Sequence, residues 1–64
     1  MPVISLKIGT VPDDKKEALI EKLTSAAVEV TNFQPSSFIV FIEELEFENI
    51  GVGGQSLAKQ AAKN

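Results

Sequence analysis

Hydrophobic and polar positions alternate along the start of the chain. Ile4, Leu6 and Ile8 fall on one side, and Val3, Ser5 and Lys7 on the other. A period of two with one wholly apolar face predicts a strand over Pro2 to Ile8. Gly9 and Thr10 break it, and Pro12, Asp13 and Asp14 announce a helix. Proline is tolerated in a first helical turn, and the two carboxylates complement the positive end of the helix dipole. From Asp13 to about Thr31 the period lengthens: Leu19, Ile20, Leu23, Ala26, Ala27 and Val30 recur at steps of three and four. That spacing lays one apolar stripe along a helix of roughly five turns. Lys15, Lys16, Glu17, Glu21, Lys22 and Glu29 fall mostly off the stripe, as a solvated face does.

Asn32 to Ser37, with Pro35 and two serines, reads as a loop. Phe38 to Ile42 is an unbroken apolar run of β-branched and aromatic residues, the pattern of a strand covered on both sides. Glu43 and Glu44 end the run. Strand, long helix, strand implies a parallel pair joined by a right-handed crossover. Ile50-Gly51-Val52-Gly53-Gly54 then places three glycines in four positions, which signals backbone at positive φ in a tight turn or small hairpin. The same glycines do not make a phosphate-binding loop, because the Lys-Ser/Thr pair and the strand-to-helix context are missing. Ser56 to Lys63 is rich in Ala and Lys and reads as a short helical or frayed tail. The expected fold class is therefore α+β: a β-α-β protomer with parallel strands, one long helix and a C-terminal hairpin, in a single domain over residues 1–64.

Size changes the picture. A chain of 64 residues buries only about 60% of the surface its unfolded form exposes. Domains this small usually rely on disulfides, a metal or a partner subunit. With no Cys and no His, disulfides, thiolate metal sites and the commonest transition-metal ligand are excluded. Yet 44% of the residues are hydrophobic, and a lone protomer would leave much of that surface exposed. The expectation is an obligate oligomer.

Charge narrows the partners. The net charge is −3, there is no Arg, and Lys7, Lys15, Lys16, Lys22, Lys59 and Lys63 are scattered. Nucleic-acid binding needs dense positive charge against phosphates, so no nucleic-acid partner is expected. No apolar run approaches the roughly 18 residues of a membrane span, and the amino terminus lacks the layout of a signal peptide. A soluble cytoplasmic protein with no membrane partner is the default expectation.

Few side chains suit acid–base work. Glu43 and Glu44 are adjacent, so on a strand they point to opposite faces and form no carboxylate pair. The serines lack a His or an evident Lys base, which argues against a hydrolase. Attention moves to Met1-Pro2. The second residue is small enough for the initiator Met to be removed, which leaves a secondary amine at the start of a strand. An α-amino group titrates near about 7.7–8.0. An apolar pocket disfavours its ammonium form and lowers that value. A neutral amine at physiological pH is suited to moving a proton between carbon and oxygen. The plainer alternative is that Pro2 is an unpaired first strand residue, where proline is sterically welcome.

Read whole, the sequence resembles the 4-oxalocrotonate tautomerase family of the tautomerase superfamily. The likeness runs from Met1-Pro2 and its strand, through Asp13-Asp14-Lys15-Lys16-Glu17-Ala18-Leu19-Ile20, to Ile39-Val40-Phe41-Ile42-Glu43-Glu44 and the glycine hairpin Asn49-Ile50-Gly51-Val52-Gly53-Gly54. The resemblance implies an amino-terminal proline base, here Pro2, and a homo-oligomer, commonly a hexamer built as a trimer of dimers. It also implies keto–enol or double-bond isomerisation of small 2-oxo and 2-hydroxy acids, with no metal or organic cofactor. The chain departs from the family where substrate carboxylates are held. Family arginines in the loop after the first strand and in the second strand are matched by Val11 and Ile39. A pocket-wall Phe is matched by Ile50, and the loop is one residue shorter. Val11, Ile39, Ile50 and Val52 are thus the expected pocket residues. An aliphatic side chain cannot replace a bidentate guanidinium; Lys7 and Lys59 are candidates for a point-charge cation, against the plainer reading of each as a surface lysine. A non-catalytic protomer, or one subunit of a hetero-oligomer with an arginine-bearing partner, is the rival expectation.

Overall fold

A computed structural model describes residues 1–62. The first strand, β1, spans Val3–Ile8, and a single long helix, α1, spans Asp13–Thr31. A 3-10 turn at Pro35–Ser37 leads into β2, Ile39–Glu44, and a second 3-10 turn covers Phe47–Asn49. Two-residue strands β3 (Gly51–Val52) and β4 (Gln55–Ser56) precede the short helix α2, Leu57–Ala62. Lys63, the end of the expected helical tail, lies outside the described residues. The β-α-β unit, the long helix and the terminal hairpin are those the sequence pattern predicts.

The strands β1 and β2 run parallel in strict register from Val3 opposite Ile39 to Ile8 opposite Glu44. Alternation then sorts the side chains. Ile4, Leu6, Ile8, Val40 and Ile42 take the half-buried positions, while Val3, Ser5, Lys7, Phe41 and Glu43 are exposed. The second strand begins one residue later and ends two residues later than the apolar run alone suggests. Within the single chain only one face is covered, and Phe41 stays 58% exposed.

Pro12 sits just before α1 as its cap and not in its first turn, with φ −63° and ψ 157°. Its carbonyl accepts hydrogen bonds from Lys15 N at 3.0 Å and Lys16 N at 3.2 Å. The helix ends where Asn32 enters the left-handed region at φ 61°, its N–H bonded to Val28 O at 2.8 Å. A short polar side chain tolerates that conformation better than most. The covered face is centred on Leu19, Leu23 and Ala27, with Lys16, Thr24 and Val28 beside them. Ile20 at 42% and Val30 at 83% exposure fall outside it, against the expected stripe. Length explains Val30. Nineteen helical residues extend about 28 Å, whereas a six-residue strand extends about 20 Å, so the last turn overhangs the sheet.

In the hairpin, Gly53 (φ 63°) and Gly54 (φ 84°) occupy the left-handed region, the pair of positive angles that a two-residue loop matched to strand twist requires. Gly51, expected to share that role, is instead a strand residue facing Ser56.

No described residue is fully buried. The chain measures 46 × 24 × 15 Å with a radius of gyration of 15.3 Å, against about 11 Å for a compact domain of this length. Its accessible surface is 4969 Å², whereas a compact monomer of this mass would expose about 4000 Å². Half-buried at best and extended, the single chain exposes more surface than a compact monomer of its size. No described helix is long and apolar enough to cross a membrane.

Candidate active site

The parallel pair has two ends, and the candidate residues divide between them. Pro2 opens β1 at the amino-terminal end, half-buried. Its carbonyl accepts a hydrogen bond from Ile39 N at 3.0 Å, which fixes Pro2 beside the first residue of β2. Met1 beyond it is 88% exposed. With Met1 attached, the Pro2 nitrogen is a tertiary amide with no available lone pair; as the chain terminus it is a basic amine. The Phe33 and Phe38 rings meet at 6.3 Å near the start of β2, and Phe33 is 53% and Val3 55% exposed. This end is apolar and open.

Val11 and Ile50 lie at the opposite end. There, Glu44 closes β2 with a carboxylate that accepts from Val11 N at 2.9 Å and from Lys16 Nζ at 2.8 Å. Lys16 also pairs with Asp13 at 3.2 Å. The Lys16 ammonium, then the Val11 amide, hold the Glu44 carboxyl below its ordinary value. Glu44 in turn raises Lys16 above its ordinary value, with Asp13 adding to the effect. The clamp pins the Gly9–Pro12 loop to the end of the second strand. Glu43, on the other face, takes no part, as the alternation of a strand demands.

The hairpin is tied to the same end. Leu45 N donates to Ile8 O at 2.9 Å, and Leu57 N to Ile50 O at 2.8 Å. The Gln60 side-chain amide reaches Val52 O and Gln55 O, each at 3.3 Å, so α2 closes the hairpin. The Phe47 ring rests over Gly9. Between these elements lies an open groove of about 430 Å³ that includes Lys7, Gly9, Leu45, Asn49 and Ile50. Val11 lines a separate apolar groove with Lys15 and Leu19, and Val52 is exposed on the hairpin.

Of the residues named from sequence, then, the fold brings Pro2 and Ile39 together, and sets Val11, Ile50 and Val52 apart from them. From Pro2 to the end of β1 is about 20 Å at strand rise. Lys7 stands at the groove, whereas Lys59 is exposed on α2. Glu44 carries no mark of this clamp role in the sequence. The clamp joins residues 33 and 28 positions apart, and no local pattern encodes such a pairing.

Comparison with known proteins resolves what this arrangement belongs to. Residues 3–60 match the model of the tautomerase enzyme family. The chain is 34% identical, over 68 aligned positions covering all of both chains, to the probable tautomerase of Helicobacter pylori. It is 34% identical to the 2-hydroxymuconate tautomerase of Bacillus subtilis, across 91% of this chain and 95% of that one. The solved structure of a 4-oxalocrotonate tautomerase homologue of the tomaymycin biosynthetic pathway superposes with a TM-score of 0.92 at 32% identity, over 95% of each chain. A β-α-β protomer with a glycine hairpin, matched over nearly its whole length, belongs to the tautomerase family, and the chain is an isomerase of that kind.

Proposed function

We propose that Pro2, freed of Met1, is the general base that interconverts keto and enol, or double-bond, isomers of small 2-oxo and 2-hydroxy acids. The observation that carries this reading is the placement of Pro2: half-buried at an apolar strand end, with its carbonyl engaged and its nitrogen side leading only to the exposed Met1. For an enol, the amine accepts the hydroxyl proton as the C–O bond becomes a carbonyl, and the proton returns to the neighbouring carbon. Substrate and product have the same composition and oxidation state, so the step needs no oxidant. An apolar surround keeps the amine neutral and able to accept the proton.

The two-ended distribution gives this reading a structural consequence. Pro2 and Ile39 of one protomer meet Val11, Ile50 and Val52 of another when copies associate, and the pocket exists only in the oligomer. We take that oligomer to be a homohexamer, a trimer of dimers, with the apolar outer sheet face around Phe41 buried inside. The exposed face and the missing core support association; the count of six rests on the family resemblance.

Two measurements test the reading. Intact-mass spectrometry of protein from its native host should show Met1 absent. Pro2→Ala should then lower kcat/KM for the enol of phenylpyruvate by at least 10²-fold, the usual scale of general acid–base catalysis. Retained Met1 in the active protein would remove the basic nitrogen and the proposal with it.

A further inference from the structure

Two aromatic side chains stand at the Pro2 end of the sheet and take no part in the proton transfer. We propose that Phe33 and Phe38 form a platform for the apolar body of the substrate, and that this platform selects an enol carrying an aromatic ring. This rests on the reading of Pro2 as the base, whose position decides where the substrate sits.

Strand register places the first ring. Val3 stands opposite Ile39, and one step earlier Pro2 stands beside Phe38, its carbonyl accepting from Ile39 N at 3.0 Å. Alternation puts Pro2 and Phe38 on the face of Ile4 and Val40, away from the outer face around Phe41. The end of α1 places the second ring. The Thr31 hydroxyl donates to Ala27 O at 2.7 Å and accepts from Phe33 N at 3.1 Å, just after Asn32 turns the chain at φ 61°. The 3-10 turn then leads back to β2, with Ser37 N donating to Gln34 O at 2.9 Å and Phe38 N to Pro35 O at 3.1 Å. Both rings therefore hang from backbone that is already held. They meet at 6.3 Å with their planes 31° apart, within the separation that aromatic pairs prefer.

Exposure and charge indicate what such a pair receives. Phe38 is half-buried, whereas Phe33 stays 53% exposed, so the pair offers apolar surface to a further group. Residues 1–6 and 30–42 carry no charged side chain. Nothing in those segments can meet a carboxylate with opposite charge, and burial there favours an uncharged body. A ring gains an offset or edge contact with Phe33 that an aliphatic body does not. Seated there, it also shields the Pro2 amine from water, which favours the neutral form.

The test separates ring from bulk. Phe33→Ala should raise KM for phenylpyruvate enol about five- to tenfold, the scale of one aromatic contact with its burial, with a smaller change in kcat. Competitive inhibition by cinnamate should weaken by the same factor. Crotonate, which carries a methyl group in place of the ring, should lose about twofold at most, since it makes no aromatic contact. Phe33→Tyr should restore the preference for cinnamate, and Phe38→Leu should reduce it. Light scattering on each variant separates lost selectivity from lost assembly. Cinnamate and crotonate weakened equally by Phe33→Ala, or neither weakened, would overturn the assignment, as would a full preference for cinnamate in Phe33→Leu. Pro2→Ala run in parallel separates the two proposals. If it leaves turnover intact, the base assignment fails, and calorimetric titration of cinnamate into wild type and Phe33→Ala decides the platform alone.

Discussion

The two ends of the parallel strand pair differ in how they are held. At the carboxyl-terminal end, Glu44 gathers the Val11 loop and the start of α1, and Leu45, Leu57 and Gln60 tie the hairpin down. At the amino-terminal end the helix overhangs, and Met1, Val3, Val30 and Phe33 stand exposed. The bonded end carries a groove with a cation but no base. The open end carries the candidate base. On the reading proposed above, a protomer with one half of a site at each end is complete only against another copy.

The largest effect should come from preventing the ends from meeting. Phe41, 58% exposed on the uncovered sheet face, should be buried on assembly. Phe41→Glu would place a charge there, and removal of an unpaired charge from water is severely unfavourable. Light scattering should show small species, and activity should fall to background together with the cooperative thermal transition. An active, folded monomer would break the comparison.

Next comes the chemistry of the bonded end. With Val11 at this end and Ile39 at the other in the family's arginine positions, a dicarboxylate such as 2-hydroxymuconate loses two guanidinium contacts worth about 1.5–3 kcal/mol each. That is a deficit on the order of 10²–10⁴ in rate against an arginine-bearing site. Phenylpyruvate enol should therefore be the better substrate by kcat/KM in ultraviolet assays. Efficient dicarboxylate turnover would mean that other groups replace the arginines.

A smaller effect should follow at the hairpin. Gly54 has φ 84° and open space where a methyl group would project, so Gly54→Ala meets only backbone strain, about 1 kcal/mol. Thermal melts should show that modest loss with the assembly intact, and an unchanged melting temperature would mean the turn relaxes without strain.

The smallest effect concerns the clamp. The folded-state value of Glu44 is depressed, so its contribution is present above the unfolded carboxyl value and fades as pH falls through the folded one. Lys16 is raised, so its contribution holds below the unfolded ammonium value and fades as pH rises through the folded one. Glu44→Gln should be slightly less stable than wild type near neutrality, and the two should converge in acid. A difference that does not shrink at all as pH falls below the ordinary carboxyl range would show that the carboxylate charge is irrelevant.

Much of the fold was legible because it is local. Period-two and period-3.6 patterns named β1 and α1, and the paired glycines named the hairpin. Less legible was whatever depends on neighbours. Ile20 and Val30 have the spacing of a buried stripe, but a helix longer than its sheet leaves Val30 uncovered. Pro2, Val11, Ile39, Ile50 and Val52 could be named from the family resemblance, yet their distribution between two ends emerges only in three dimensions. Glu44 carried no signal in its surroundings, since it acts across some thirty residues.

The central claim is that base and groove come from different protomers, and subunit mixing tests it directly. Pro2→Ala and Ile50→Asp chains, each nearly inactive alone, should be unfolded together, mixed in equal amounts and reassembled. The account predicts recovery of about a quarter of wild-type activity, the share of random pairings that join an intact base to an intact groove. No recovery, in mixed assemblies confirmed by mass, would place both halves of the site within one chain and contradict it.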